Sequence, residues 1–457
     1  MQIFGSSGTR GVVGAEFGPE FVLRVARAAA TVWDAEEVAL ARDTRTSGEL
    51  FTNAAAAGIT ATGTDVARLG VAPTPATVRH CDEASVPGVQ ITASHNPPEF
   101  NGVKLIGASG SGLPVARLEE IEETLLAEGF DTAAWDAVGD SRQVTDASAD
   151  YVAELLAAVD REAIADADLR VALDPGHGAG AHTSPEFFRR LGCEVVTVNA
   201  QPDGHFPGRS PEPVGDALGD LERLVTASDA DVGIAHDGDA DRAVFVDETG
   251  TFVSGETSFA ALAERALSAG DTAVSAVNVS QRLVDVCDRV GATLELTPIG
   301  ATNIVTRVRE LWADGETVPI AGEGNGGIFF PSHRLSRDGA FVGAKFLELL
   351  AERDEPTSSL VAPYTHYHTV RENLAYESDA QRTAMLAAAE TYAAAADAEP
   401  QTMDGYRLDY GDAWVLLRES GTEPKLRVYA EASDRERATR LAADARDTLA
   451  DARADAE

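Results

Sequence analysis

Four times along this chain an apolar run leads into a short loop of glycine and polar residues, and a second apolar run leads out of it. Runs 86–92 and 103–106 flank the loop 93–101, and runs 232–236 and 243–246 flank 237–242. Runs 318–321 and 328–330 flank 322–327, and runs 414–417 and 426–430 flank 418–424. Short apolar runs bounded by turn residues predict buried strands. Elsewhere the apolar spacing lengthens to the helical period, over 20–34, 48–62, 149–159 and 340–353. Strands alternating with helices predict an α/β fold. At 457 residues the chain exceeds one core, because single cores stop growing at about 250–300 residues. Four units of about 100–140 residues each lie inside the usual domain range. We expect them at 1–146, 147–248, 249–360 and 361–457, with joints at the polar stretch 132–146, the turn 247–250 and the Asp354-Glu355-Pro356 stop. Loops held by rigid strands commonly carry function, so one loop per unit predicts convergence on a central cleft.

Charge narrows the function classes. With 75 Asp and Glu against 37 Lys and Arg, the net charge of -38 excludes a general nucleic-acid binder and an anionic-membrane binder. A small phosphorylated substrate remains compatible if basic groups are gathered locally. No stretch is apolar for long enough to span a bilayer, and the segment MQIFGSSGTRG has no signal-peptide features. Cys81, Cys193 and Cys287 are far apart and imply neither disulfides nor zinc. The expectation is a cytoplasmic protein. Only Lys104, Lys345 and Lys425 are lysines. Acid excess with so little lysine resembles the proteins of halophiles, in which an acidic surface stays hydrated in molar salt. An acidic protein of an ordinary cell would look partly similar, but the lysine depletion favours a high-salt cytosol. Self-repulsion would then weaken the fold at low ionic strength, where screening reaches ~30 Å at 0.01 M against ~3 Å at 1 M.

The loops differ in chemistry. Asp237-Gly238-Asp239-Ala240-Asp241-Arg242 alternates three carboxylates with small residues, which suits one hard cation, and magnesium fits. A calcium EF-hand would need glycine at its sixth position and glutamate at its twelfth on a helix; here Arg242 holds the sixth, and Glu248 follows a strand. Thr92-Ala93-Ser94-His95-Asn96-Pro97-Pro98 presents a serine on a Pro-closed loop. A serine hydroxyl becomes a nucleophile or phosphate carrier only beside a base or metal. The absence of a GxSxG elbow argues against acyl transfer. Lys104, in the strand that follows, could return to the same cleft as a proton-transfer group. Arg418, Ser420, Gly421, Thr422 and Arg427 form an anion cradle, with backbone N–H groups, hydroxyls and guanidinium forks suited to phosphate. Glu323 and Asn325, in the loop 322–327, suit sugar hydroxyls or an amine, although a plain flexible turn reads similarly. Residues 176–180 read as a tight strand-to-helix turn. His366 and His368 would share one strand face, as a metal pair or simply a polar face.

Taken together, these loops resemble those of the α-D-phosphohexomutase family, in the family's order and over essentially the whole chain. The likeness begins at Phe4-Gly5-Ser6-Ser7-Gly8-Thr9-Arg10-Gly11, similar to the segment that contacts the phosphosugar. It implies three similar mixed α/β domains plus a smaller C-terminal α+β domain around a central cleft. It implies that phosphorylated Ser94 exchanges its phosphoryl group with a hexose phosphate through a bound sugar 1,6-bisphosphate. Mg²⁺ would be held by Asp237, Asp239, Asp241 and the phosphoserine. Lys104, His95 and Arg10 would be candidates for acid–base work. Ser6, Thr9, Arg242, Glu323, Asn325, Arg418, Ser420, Gly421, Thr422 and Arg427 would contact the substrate. Many bacterial relatives read Gly-Glu-x-Ser-Gly-His at the sugar loop; this chain keeps Glu323 but has Gly326-Gly327 and no immediate histidine, and Asn325 in place of the serine looks like archaeal members. The resemblance therefore leaves glucosamine, mannose, glucose and even pentose phosphates open as substrates. A metal-dependent sugar phosphatase and a catalytically silent phosphosugar sensor are the competing readings; no nucleic-acid or membrane partner is expected.

Overall fold

In the computed structural model, which describes residues 3–5, 8–14, 17–421 and 424–456, the apolar runs lie in four separate sheets. The first sheet has seven strands. Glu37–Arg42 runs parallel to Asp65–Val71 on one side and to Gly88–Ile91 on the other, and Phe100–Gly107 returns antiparallel to Gly88–Ile91. Val38, Ala39, Leu40 and Ala41 are all buried, so this strand reads as a continuous apolar run, as parallel strands covered on both faces do. The helix Pro19–Trp33 opens with Pro19 and Glu20, buries Val22, Val25, Ala26 and Ala29 along one face, and stops at Asp34, which is left-handed at φ 49°. The stretch 132–146 contributes the edge strand Ser141–Gln143.

The second and third sheets, five-stranded each, repeat one plan of parallel strands followed by an antiparallel return. In the second, Glu194–Thr197, Arg170–Asp174 and Val232–His236 are parallel, and Ala243–Asp247 and Phe252–Val253 come back antiparallel. The turn 247–250, expected to open the third unit, is a hairpin inside this sheet: the Asp247 carboxylate accepts from the N–H groups of Thr249 and Thr251 and from the Thr249 hydroxyl. In the third, Thr293–Thr297, Thr272–Ala276 and Ala321–Gly322 are parallel, and Ile328–Phe330 and Arg334–Arg337 complete the sheet. The strand expected over 318–321 shrinks to Ala321–Gly322, because Pro319 has no N–H to give to a ladder. Val318 and Ile320 are buried all the same.

The fourth sheet is antiparallel, in the order His368–Ala375, Lys425–Ala432, Ala413–Glu419, Tyr406–Asp409, with the helices Asp379–Ala395 and Arg435–Ala454 packed against it. His366 lies before the first strand and approaches Asp285 at 3.8 Å, so it shares no strand face with His368. One apolar core runs through the first three units, from Val78 and Ile106 through Phe187 and Phe245 to Phe341 and Phe346. The fourth has a core of its own, linked to the third unit through Val277, Trp414, Leu416 and Tyr429.

Candidate active site

Ser94 sits at the head of the hairpin between Gly88–Ile91 and Phe100–Gly107, buried, with left-handed φ of 51°. A non-glycine residue held there stores about 1–3 kcal/mol of strain, so its surroundings must hold it in place. Its N–H donates to Thr92 Oγ1 at 2.9 Å, and the Thr92 hydroxyl donates to Asp43 Oδ2 at 2.6 Å. Arg45 completes the frame. Its Nε donates to Asp43 Oδ2, and its two terminal nitrogens donate to the carbonyls of Ser94, Asn96, Pro97 and Phe100 at 2.6–2.9 Å. All five guanidinium N–H groups are thereby used. The ring of Phe206, from the second unit, lies 5.2 Å from the guanidinium carbon.

The acidic loop meets this frame from the second unit. The Ser94 hydroxyl donates to Asp237 Oδ2 at 2.6 Å. A Cβ on Gly238 would stand 2.7 Å from the Ser94 carbonyl oxygen, so only glycine lets the two loops approach this closely. Asp237, Asp239 and Asp241 are buried, each with a carboxylate oxygen within 4.8 Å of the others'. Lys104 Nζ donates to Asp239 at 2.5 Å and to Asp241 at 2.8 Å. The Thr74 hydroxyl donates to Asp239 at 2.5 Å, and Arg337 donates to Asp241 at 2.6 Å. Among the described residues, Asp239 Oδ1 and Asp241 Oδ1 are buried without a hydrogen-bond partner. Burial and the neighbouring carboxylates of Asp241 and Asp239 push the Asp237 carboxyl up to about 7. Burial also works against the Asp241 charge, but Arg337, Lys104 and Arg242 outweigh it and hold that carboxyl far below its usual range.

Beside these loops opens a cavity of about 720 Å³ with wall residues from all four units. Arg10, His95 and Asn96 come from the first, Arg242 from the second, Glu323, Asn325 and Arg337 from the third, and Arg418, Ser420, Gly421, Lys425 and Arg427 from the fourth. The expected convergence on a central cleft is what the structure shows. Arg10 donates to Asn96 Oδ1 at 2.6 Å; burial and the Arg242 charge bring its guanidinium down to about 10. His95 is held well below its ordinary value by burial and by Arg242 and Arg10, and its Nδ1 is buried without a hydrogen-bond partner among the described residues. Arg418 is paired with Asp404 at 3.1 Å, and Asn325 Oδ1 accepts from the Gly327 N–H.

Some expected residues lie elsewhere. Lys104 meets Asp239 and Asp241 and borders a separate space of about 90 Å³ shared with Thr74 and Arg337; like Ser94 and the three aspartates, it is set back from the lining of the large cavity. Thr9 is paired with Val103 in the first sheet and is not on that wall either. Ser6 and Thr422 lie outside the described residues. Sequence reasoning missed Arg45, Arg337 and Arg371; the last lines the cavity and is paired with Glu256. The available signals were weak: Asp43-Thr44-Arg45 directly follows a predicted strand, and Arg337 precedes a helix-capping aspartate.

The chain matches four consecutive family descriptions. These are phosphoglucomutase/phosphomannomutase alpha/beta/alpha domain I at residues 1–132, domain II at 149–250, domain III at 254–367 and the C-terminal domain at 374–448. A phosphoglucomutase/phosphomannomutase of Thermococcus kodakarensis is 39% identical over 445 residues, 96% of each chain. A probable phosphoglucosamine mutase of Methanopyrus kandleri is 37% identical over 441 residues, 96% of this chain and 95% of its own. The crystal structure of a phosphoglucomutase/phosphomannomutase family protein from Burkholderia thailandensis aligns with a TM-score of 0.83 at 26% identity, over 99% of this chain and 97% of that one.

Proposed function

We propose, from the premise that this chain belongs to the phosphoglucomutase/phosphomannomutase family, that it moves a phosphoryl group between the 1- and 6-positions of a hexose phosphate by way of Ser94. It is a phosphohexomutase, and so an isomerase. The observation that carries the role of Ser94 is its 2.6 Å contact with Asp237, beside a cavity that gathers arginines from every unit. A hydroxyl held on a cluster of acids is poorly placed for acyl chemistry but well placed to carry phosphate on a cation site.

The residues present fit magnesium. Three buried carboxylates stand close together, and two of their oxygens lack hydrogen-bond partners among the described residues. Asp237, Asp239, Asp241 and a phosphate oxygen on Ser94 would hold the ion, which supplies charge neutralisation for the transferring phosphoryl group. In the first half-reaction the free sugar hydroxyl forms a bond to phosphorus as the bond from phosphorus to Ser94 Oγ breaks. The proton given up by the sugar hydroxyl balances the one that Ser94 regains, and we assign its uptake to His95, whose side chain borders the cavity. Arg418, Ser420, Gly421 and Arg427 hold the phosphate that is not being transferred. The bisphosphorylated sugar then turns, and its other phosphoryl group returns to Ser94. Glu323 and Asn325 meet the sugar hydroxyls in both orientations.

A panel of glucosamine, mannose and glucose 1-phosphates in molar KCl, with Mg²⁺ and a trace of hexose 1,6-bisphosphate, tests the reading. Isomerisation of at least one is expected, and a tenfold preference in kcat/KM, about 1.4 kcal/mol, names the substrate. Phosphate release without isomerisation would replace the mutase by a phosphatase. Ser94→Ala should abolish exchange, and an active Ser94→Ala chain would sink the phosphoserine mechanism. The charge of -38 with three lysines supports a high-salt cytosol as the working environment. The thermal midpoint should therefore rise steadily from low salt to molar KCl; a flat response would remove that assignment.

A further inference from the structure

The strand Arg334–Arg337 ends on a side chain that stands between two loops of different units. Arg337 Nη2 donates to Asp241 Oδ2 at 2.6 Å, while Nη1 lies 3.7 Å from Glu323 Oε2. The side chain borders both the large cavity and the small space behind the acids. It fits there because residue 327 has no side chain. A Cβ on Gly327 would lie 2.6 Å from Arg337 Cδ and 3.3 Å from Nη1. The backbone is fixed on both sides: Arg337 pairs with Phe329 in the sheet, and Asp338 caps the helix Gly339–Arg353 through the Phe341 N–H while accepting from the Tyr151 hydroxyl. A planar guanidinium fork held this firmly can serve two carboxylates at once, which a lysine at this place could not do.

We propose that Arg337 is a positioning residue that couples hexose engagement at Glu323 to cation binding at Asp241. This rests on the reading of the acid triad as a cation site and of Glu323 as a sugar contact. A divalent cation at Asp241 competes with Arg337 for the same carboxylate and frees the guanidinium toward Glu323. A sugar hydroxyl on Glu323 changes how strongly that carboxylate draws the guanidinium away. Coupling of this kind is reciprocal, so it is measurable from either ligand.

The test uses the dephosphorylated full-length chain, which cannot turn over without bisphosphate. Mn²⁺ binding is measured by calorimetry with and without saturating hexose 6-phosphate. In the unaltered chain the sugar phosphate should shift Mn²⁺ affinity by about fivefold or more, the lower end of ordinary coupling. Arg337→Gln should raise Mn²⁺ affinity, since Asp241 loses a competing cation, and should abolish the shift while lowering turnover. Glu323→Gln should leave Mn²⁺ affinity within about twofold and also abolish the shift, which keeps the idea testable if Arg337→Gln does not fold. A fall in both Mn²⁺ affinity and thermal midpoint in Arg337→Gln, with the shift intact, would reduce Arg337 to a structural role and overturn the proposal. An unaltered chain that binds no Mn²⁺, or binds it equally well after Asp239→Asn, would instead overturn the cation-site reading beneath it.

Discussion

The two sides of the cavity are built on opposite plans. On one side the serine and acid loops lock each other. The serine loop takes four of the five donors of Arg45, Gly238 abuts the Ser94 carbonyl, and both loops belong to units that share one apolar core. On the other side the hairpin proposed to hold the phosphate belongs to a unit with a separate core, tied to the third unit by a small apolar cluster and by buried polar groups. Glu431 accepts from the Ser280 hydroxyl, the Gln281 N–H, Arg282 and the Trp414 indole, and Arg407 donates to the carbonyls of Val277 and Val279. The difference follows from the chemistry. Phosphoryl transfer needs reacting atoms held to a fraction of an ångström. On the proposed mechanism the phosphate that is merely held is accepted in either orientation of the sugar, so it can rest on a more independent unit.

Three measurements would break or sharpen this contrast. The largest effect is expected from Arg45→Met, which strands the buried Asp43 carboxylate and frees the serine loop. It should lose about 3–5 kcal/mol of stability, read by denaturant unfolding in high salt, with activity falling alongside. An Arg45→Met chain as stable as the unaltered one would show that the serine loop is held by something else. Next in size, Arg418→Met on the phosphate side should lower kcat/KM by about 10–100-fold, as loss of one charged hydrogen bond does. Its unfolding midpoint should stay near that of the unaltered chain; a large stability loss would erase the distinction between the two sides.

The smallest effect concerns pH. Burial pushes the Asp338 carboxyl, in the third unit, up to about 6, above its unfolded value. The folded form therefore binds the extra proton, and its contribution is present at low pH and lost as pH rises through about 4 to 6. Glu419, in the last unit, is pulled below its ordinary value by Arg382, with burial opposing and the Tyr376 hydroxyl assisting. Its contribution is present near neutrality and is lost as pH falls through its lowered value. Comparing Asp338→Asn and Glu419→Gln with the unaltered chain across this range should give pH trends of opposite sign. Equal signs would mean that one of the two carboxylates sits in a different environment.

Much of the site was readable in the residues alone, because its loops obey local rules. Apolar runs, Gly-rich turns and alternating aspartates lie within a few residues of each other, and so do the strands and hairpins they form. Ser94, the three aspartates, Glu323 and Arg418 were all legible in this way. Lys104 was expected to return to the cleft of Ser94, and it meets Asp239 and Asp241 there, set back from the large cavity as they are. Ala321–Gly322 is shorter than its apolar run because Pro319 withholds a donor, which the residue names could have shown.

By itself, then, the order of residues determined the alternation of strand and helix, the hairpin loops and the chemistry each loop carries, because those depend on neighbours in sequence. Only the tertiary structure decided which arginines leave the surface and become part of the frame. Arg45 and Arg337 look in sequence like any solvated arginine. What makes burial tolerable for them is a set of carbonyls and carboxylates on other loops, and for Arg337 in another unit. A buried guanidinium is stable only where such partners satisfy it, and no local pattern records where they will be.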